Sequence, residues 1–213
     1  MASDELMNRL AGELKPVSRW RAGRELMLLV ALAVIEIALF IAAGSMRDDM
    51  HSAMDHPSFW WKVGSLGLLA IVGSATAVAS FDPMLSPRRR MRLVAGMLGL
   101  VLLTGWLVDA MGGPGAPLVH RLDWRHGLDC VSWILALSIP PLIAFAVLAR
   151  RGAPPRLNAS ALLVGVASAA WGGFVFAFRC PFDDPLYVAV WFALAGVAIM
   201  IVARLILPRI ARW

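Results

Sequence analysis

Six apolar runs of about 20 residues dominate the chain: 25–44, 61–80, 92–111, 130–149, 159–179 and 186–207. A helix needs that length to cross the hydrocarbon core of a bilayer, where a backbone satisfies its polar groups only as a helix or a closed barrel. No run shows the strict apolar–polar alternation of a barrel strand. Breaker clusters separate the runs: "FDPMLSPRRR" (81–90), "GGPGAP" (112–117), "RRGAPPR" (150–156) and "CPFDDP" (180–185). Stretches so rich in proline and glycine cannot continue a helix. The pattern predicts an all-α polytopic membrane protein, a bundle of six transmembrane helices. Pro140 and Pro141 predict a kink in the fourth helix, read as packing in preference to a hinge. Ala161, Gly165, Ala169 and Gly173 recur every fourth residue in the fifth. Such a ridge of small residues lets a neighbouring helix approach within the bundle, with homodimerisation as the alternative.

A different pattern precedes the first span. In "DELMNRLAGELK" (4–15), Leu6, Leu10 and Leu14, with Met7 alongside, share one helical face. Asp4 suits the N-cap, and Pro16, after Lys15, ends the helix. The chain thus divides into an N-terminal segment, 1–24, and a transmembrane domain, 25–213. Two uses fit the short helix: lying on the lipid bilayer surface, anchored by Trp20 and the arginines, or filling a groove on a cytoplasmic protein. Glu5, Arg9 and Glu13 give its polar face mixed charge, which suits anionic lipid poorly. The polar start also predicts no removable leader.

Composition agrees with the membrane reading. Of 213 residues, 60% are hydrophobic and 16% charged, against about 25% charged in soluble domains. A net charge of +6 would suggest nucleic acid in a soluble protein. In a membrane protein, lysine and arginine instead report topology, and no direct nucleic-acid contact is expected. Of the 20 such residues, 15 lie in the N-terminal segment, the second and fourth loops and the tail, and 5 in the other loops. That asymmetry predicts cytoplasmic termini in a bacterial inner membrane. The cysteines, Cys130 and Cys180, and all four histidines then share the outer, oxidising side.

Transporter and enzyme signatures are thin. Glu36, mid-way along the first span, is read as a lone acid hydrogen-bonded to a neighbouring helix, with an ion or proton site as the alternative. No metalloprotease, hydrolase-elbow, phosphate-loop or dinucleotide motif is present, so no catalytic site and no required cofactor are expected. "SMRDDMHSAMDHP" (45–57) places Met46, Met50 and Met54 four apart, with His51 and His56 between and after them. If the segment prolongs the first helix, the thioethers share a face, a donor set for copper(I) or a similar soft ion. Interfacial packing is the plainer use. "HRLDWRHGLDC" (120–130) gathers His120, His126 and Cys130 without compact zinc spacing. The two cysteines suit either a structural disulfide or a pair that senses oxidants or thiophilic metals.

The layout resembles the NrsF family of bacterial membrane anti-sigma factors. The residues that carry the likeness are "LMNRLAGELKPV" (6–17), "CVSWILALSIP" (130–140), "ARRGAPP" (149–155), "FAFRCPFDDPLYVAVWFALAG" (176–196) and the ending "RIARW". The resemblance implies an extracytoplasmic-function (ECF) sigma factor as cytoplasmic partner. It implies that the N-terminal stripe, Leu6 to Pro16, helps to hold that partner. It also implies that Cys130 and Cys180 sense heavy metal or oxidant. The likeness covers nearly the whole chain, but residues 45–120 are much less distinctive, so the methionine–histidine loop is not carried over. A membrane protein that handles copper at its outer face is the alternative from a different class.

Overall fold

Prolines open four of the described helices. α3 (Pro57–Ala79), α4 (Pro87–Met111) and α8 (Pro185–Ile210) start on proline, and α6 (Ile139–Arg151) has Pro140 at its second position. In a first turn the missing N–H costs nothing and the fixed φ favours the helix. The other elements are α1 (Ala22–Ala42), the four-residue α2 (Met50–Ala53), α5 (Trp124–Leu137) and α7 (Leu157–Ala177). The computed structural model describes Glu5 and residues 22–82, 87–111, 121–152, 154 and 156–210. The stripe Leu6, Met7, Leu10, Leu14, Lys15 and Pro16 lies outside the described residues, as does His120.

Six segments are long and apolar enough to cross a membrane: Gly23–Ala42, Pro57–Ala79, Arg88–Met111, Trp124–Arg151, Leu157–Ala177 and Pro185–Ile210. No strand occurs among the described residues, so the fold is the all-α bundle that the pattern predicts. The fourth span starts six residues before its apolar run. There Asp123 accepts from Arg125 N (3.2 Å) and starts a helix in polar sequence. Cys130 therefore sits nearly two turns inside α5, not at its tip.

The same span breaks at Ser138, between α5 and α6, where Pro140 and Pro141 cannot donate to the preceding turn. Ser138 Oγ donates to Ile134 O (2.7 Å). Gly172 of α7 lies against the break. A Cβ at that position would come within 2.7 Å of Ile134 O and 2.9 Å of Ser138 N. The kink is thus packed backbone to backbone on α7.

α7 is the centre of the bundle, two-thirds buried along its span and packed chiefly on α3 and α8. Its small-residue ridge faces α8: Gly165 meets Met200, Ala169 meets Gly196, and Gly173 meets Phe192. On another side Ala167 lies against Gly73 of α3. The ridge serves packing within the chain. α1 and α4 lie outermost, about a tenth buried, and turn Met27, Leu39, Leu102 and Trp106 outward. The one acid of mid-α1, Glu36, accepts from Trp171 Nε1 of α7 (2.8 Å). It is the helix-bonded acid expected from the sequence, with its Oε1 left unpaired.

Candidate functional site

The short turn between α7 and α8 fixes the site. Cys180 N still donates to Phe176 O (3.0 Å), so this cysteine stays at the end of α7. Pro181 cannot extend the helix. Asp184 then accepts from Leu186 N (2.9 Å) and caps α8, which opens on Pro185. Cys130 arrives from α5. The two cysteines, 50 residues apart in sequence, meet in one cluster with Ile134, Phe176, Tyr187, Trp191 and Phe192.

Both are free thiols and buried: Cys130 is 4% exposed and Cys180 0%. The two thiols lie close enough to set each other's ionisation. Cys130 Sγ also lies 3.3 Å from Tyr187 Oη, and Cys180 Sγ reaches Phe182 O (3.5 Å). Phe182 stacks on Tyr187 (4.6 Å between centroids) and closes one side of the pocket. Trp191 closes another. Its Nε1 donates to Leu122 O (3.1 Å), and Gly127 leaves room for its ring against α5.

Three cations hold the loop beneath the thiols through Asp183 and Asp184. Lys62 of α3 is completely buried. Its ammonium donates to Cys180 O (3.2 Å), Phe182 O (3.1 Å) and Asp183 Oδ1 (2.5 Å). Arg47, between α1 and α2, donates to Cys180 O (3.1 Å), Pro181 O (3.2 Å) and Asp183 Oδ2 (2.7 Å). Arg121 bridges Asp184 (2.6 Å) and Asp109 of α4. Burial acts to raise the Asp184 carboxyl, but the hydrogen bonds from Arg121 and the Leu186 amide win and hold it below the usual range.

The Cys180 thiol is drawn down to about 7. The hydrogen bond from Cys130 is the main cause, and the Lys62 charge adds to it against the opposing effect of burial. Its thiolate fraction therefore falls as the pH drops through 7. Modification of Cys180 by a small permeant methanethiosulfonate should slow about tenfold per pH unit below that midpoint. Mass spectrometry of the Cys180 peptide reads the rate, and a midpoint near 9 would contradict the assignment.

The other candidates lie apart. α1 stops at Ala42 and the chain turns at Gly44, whose φ of +63° glycine adopts without strain. The methionine segment therefore does not prolong α1. Met50 and Met54 bracket the separate α2, Met46 precedes it, and Met46, Met54, His51 and His56 are all exposed. His126 is exposed, hydrogen-bonded to Asp123 (2.7 Å) and set beside the Phe182 ring. That bond holds the Asp123 carboxyl below its usual range. Among the described residues, no three His, Cys, Asp or Glu side chains gather into a metal-holding group.

Sequence reasoning missed Arg47, Lys62, Arg121, Asp183 and Asp184 as parts of the site. A signal was there. Lys62 is one of only two lysines in the chain, and it stands near the same helix-end level as "FDDP". A cation placed there requires a partner, and those aspartates were among the anions near that level.

A six-helix bundle with a buried thiol pair at one end and arginine clusters at the other belongs to the class of polytopic membrane proteins. Within that class the match is specific. Residues 10–213 match the family described as "NrsF: Negative regulator of sigma F", and the chain belongs to that family. It is 26% identical over its full length, and over the full length of the relative, to "Anti-sigma-F factor NrsF" of Caulobacter vibrioides (strain NA1000 / CB15N). Identity is also 26%, again over both full lengths, to "Probable anti-sigma-F factor NrsF" of Azospira oryzae (strain ATCC BAA-33 / DSM 13638 / PS). No solved structure matches it. The family is regulatory in kind, not catalytic.

Proposed function

We propose that this chain is an inner-membrane anti-sigma factor that holds an ECF sigma factor at the cytoplasmic face and releases it when Cys130 and Cys180 react. The observation that carries the reading is the convergence of the two thiols in one buried pocket, inside a chain that belongs to a family of sigma-factor regulators. Two chemistries suit the pocket. An oxidant takes two electrons and the two thiol protons leave as an S–S bond forms. Alternatively, a thiophilic ion such as copper(I) displaces the protons and is held by two thiolates. Neither calls for a resident cofactor.

Charge supports the orientation. Arg88, Arg89, Arg90, Arg92, Arg150, Arg151, Arg204 and Arg209 belong to the helix ends opposite the thiol pocket. With the positive end inside, the thiols face the periplasm and the N-terminal segment the cytoplasm. There Leu6, Met7, Leu10 and Leu14, with Lys15 and Pro16 at the end of the stripe, form a surface for the sigma factor.

Co-purification from host membranes tests this reading. The full chain should bring down a sigma factor, identified by mass spectrometry, and a chain lacking residues 2–16 should not. Retention after truncation would move the holding surface to the basic loops. Absence of any sigma factor from the full-chain sample would refute the reading.

A further inference from the structure

Lys62 of α3 and Arg47, between α1 and α2, grip the same groups from different parts of the chain. Cys180 O accepts from Lys62 (3.2 Å) and Arg47 (3.1 Å), and the Asp183 carboxylate is shared between them, one oxygen each. The two cations differ in what stands behind them. Lys62 rises from α3, which packs along α7 with Gly73 set closely on Ala167. Moving α3 would disturb the densest part of the core. Arg47 follows α1, a helix about a tenth buried that rests mainly on α3 and α6. Its mid-span polar bond is that of Glu36 to Trp171.

Arg47 is bound far more completely than a loop arginine needs to be. A guanidinium has five N–H donors, and here each has an acceptor. Nε donates to Asp49 Oδ1 (2.6 Å), Nη1 to Cys180 O (3.1 Å) and Asp183 Oδ2 (2.7 Å), and Nη2 to Asp49 Oδ2 (2.7 Å) and Pro181 O (3.2 Å). The paired bonds to Asp49 hold the planar group in one orientation. Its side chain is only 5% exposed, and its own backbone N–H donates to Phe178 O (3.2 Å). The loop that carries Cys180 and the segment that ends α1 are therefore fastened together at one residue.

We infer that Arg47 is a positioning residue: it sets the placement of α1 according to the conformation of the Cys180 loop. A shift of the Cys180 carbonyl meets Lys62 on a deeply packed helix and Arg47 in the segment that follows a lightly packed one. Displacement goes to the element held with less free energy, which is α1. The inference deepens the proposed function, because α1 is the helix into which residues 1–21 lead. It rests on that reading for its consequence, not for its geometry.

The test uses the full chain in lipid nanodiscs. Spin-labelled non-canonical residues are placed at the exposed positions Met27 of α1 and Leu205 of α8, with Leu93 of α4 and Ile143 of α6 as the control pair. Electron–electron double resonance then gives the two distance distributions. Arg47→Met should broaden the α1–α8 distribution about twofold and leave the control pair unchanged. Arg47→Lys, with three donors in place of five, should give an intermediate width. An unchanged α1–α8 distribution would overturn the inference, and so would equal broadening of both pairs, which marks general loosening. If the methionine variant fails to insert, the native and lysine chains are compared for the same outcomes. No arm needs a sigma factor, so failure to hold one counts against the proposed function and not against this coupling.

Discussion

A chain carrying serine at both 130 and 180 should keep its sigma factor through a challenge with diamide or copper(I), while the native chain should release it. Serine differs from cysteine by one atom, and its hydroxyl can use the neighbours that the thiols use, Tyr187 Oη and Phe182 O. The pocket should keep its shape and the unstressed chain its partner. The reactive chemistry is lost, because a hydroxyl forms no disulfide and is a hard, weak ligand for soft ions. Moving a holding state from 1:99 to 99:1 needs about 5.5 kcal/mol of difference between the two states, and the thiols are where this proposal finds it. Single variants separate the two chemistries. If the signal is an S–S bond within the chain, either serine silences diamide completely. If it is coordination, a lone thiolate leaves a weakened copper response. Sigma-dependent transcription, with the bound fraction measured in parallel, reads all of these outcomes. Release persisting in the double variant would remove the sensor from the cysteines and turn attention to Met46–His56.

How far the sequence carries is clearest at Cys180. The number and type of the spans followed from length and hydropathy, since a bilayer leaves the backbone few alternatives. The turn at "CPFDDP" could be read from its prolines, and the packing role of the α7 ridge from its four-residue period. The convergence of Cys130 with Cys180 could not be derived that way. It depends on the Asp123 cap that starts α5 at Trp124 and on Gly127 admitting Trp191, a local and a tertiary fact that a hydropathy window does not see. The same blindness hid the Arg47–Lys62–Asp183 network. Each of its members lies in a connecting segment or the first turns of a helix, where a charged residue ordinarily reads as a topology marker. Only the packing of α7 against α3 turns Lys62 inward. The conditional extension of α1 through Met54 failed for a local reason, the turn at Gly44.

Asp183→Asn should cost about 3–5 kcal/mol of stability, the usual penalty for leaving a buried charge without its partner. The asparagine is nearly the same size and retains one carbonyl acceptor, so the loss is electrostatic in origin. Lys62 would keep the Cys180 and Phe182 carbonyls but face no counter-charge in a site that water does not reach. Arg47 is less affected, since Asp49 still holds two of its donors. Lys62→Met should be milder, because Asp183 remains paired to Arg47 and the methionine fills apolar space beside Phe59. The double variant is the deciding case. With cation and anion both gone from the α3 side, it should be more stable than Asp183→Asn alone, because the stranded ammonium has been removed. Thermal unfolding of the full chain in micelles, followed by tryptophan fluorescence, gives the three differences. If the two single costs simply add, Lys62 and Asp183 do not depend on each other. The grip of Lys62 on the loop beneath Cys180 would then rest on its two carbonyl contacts.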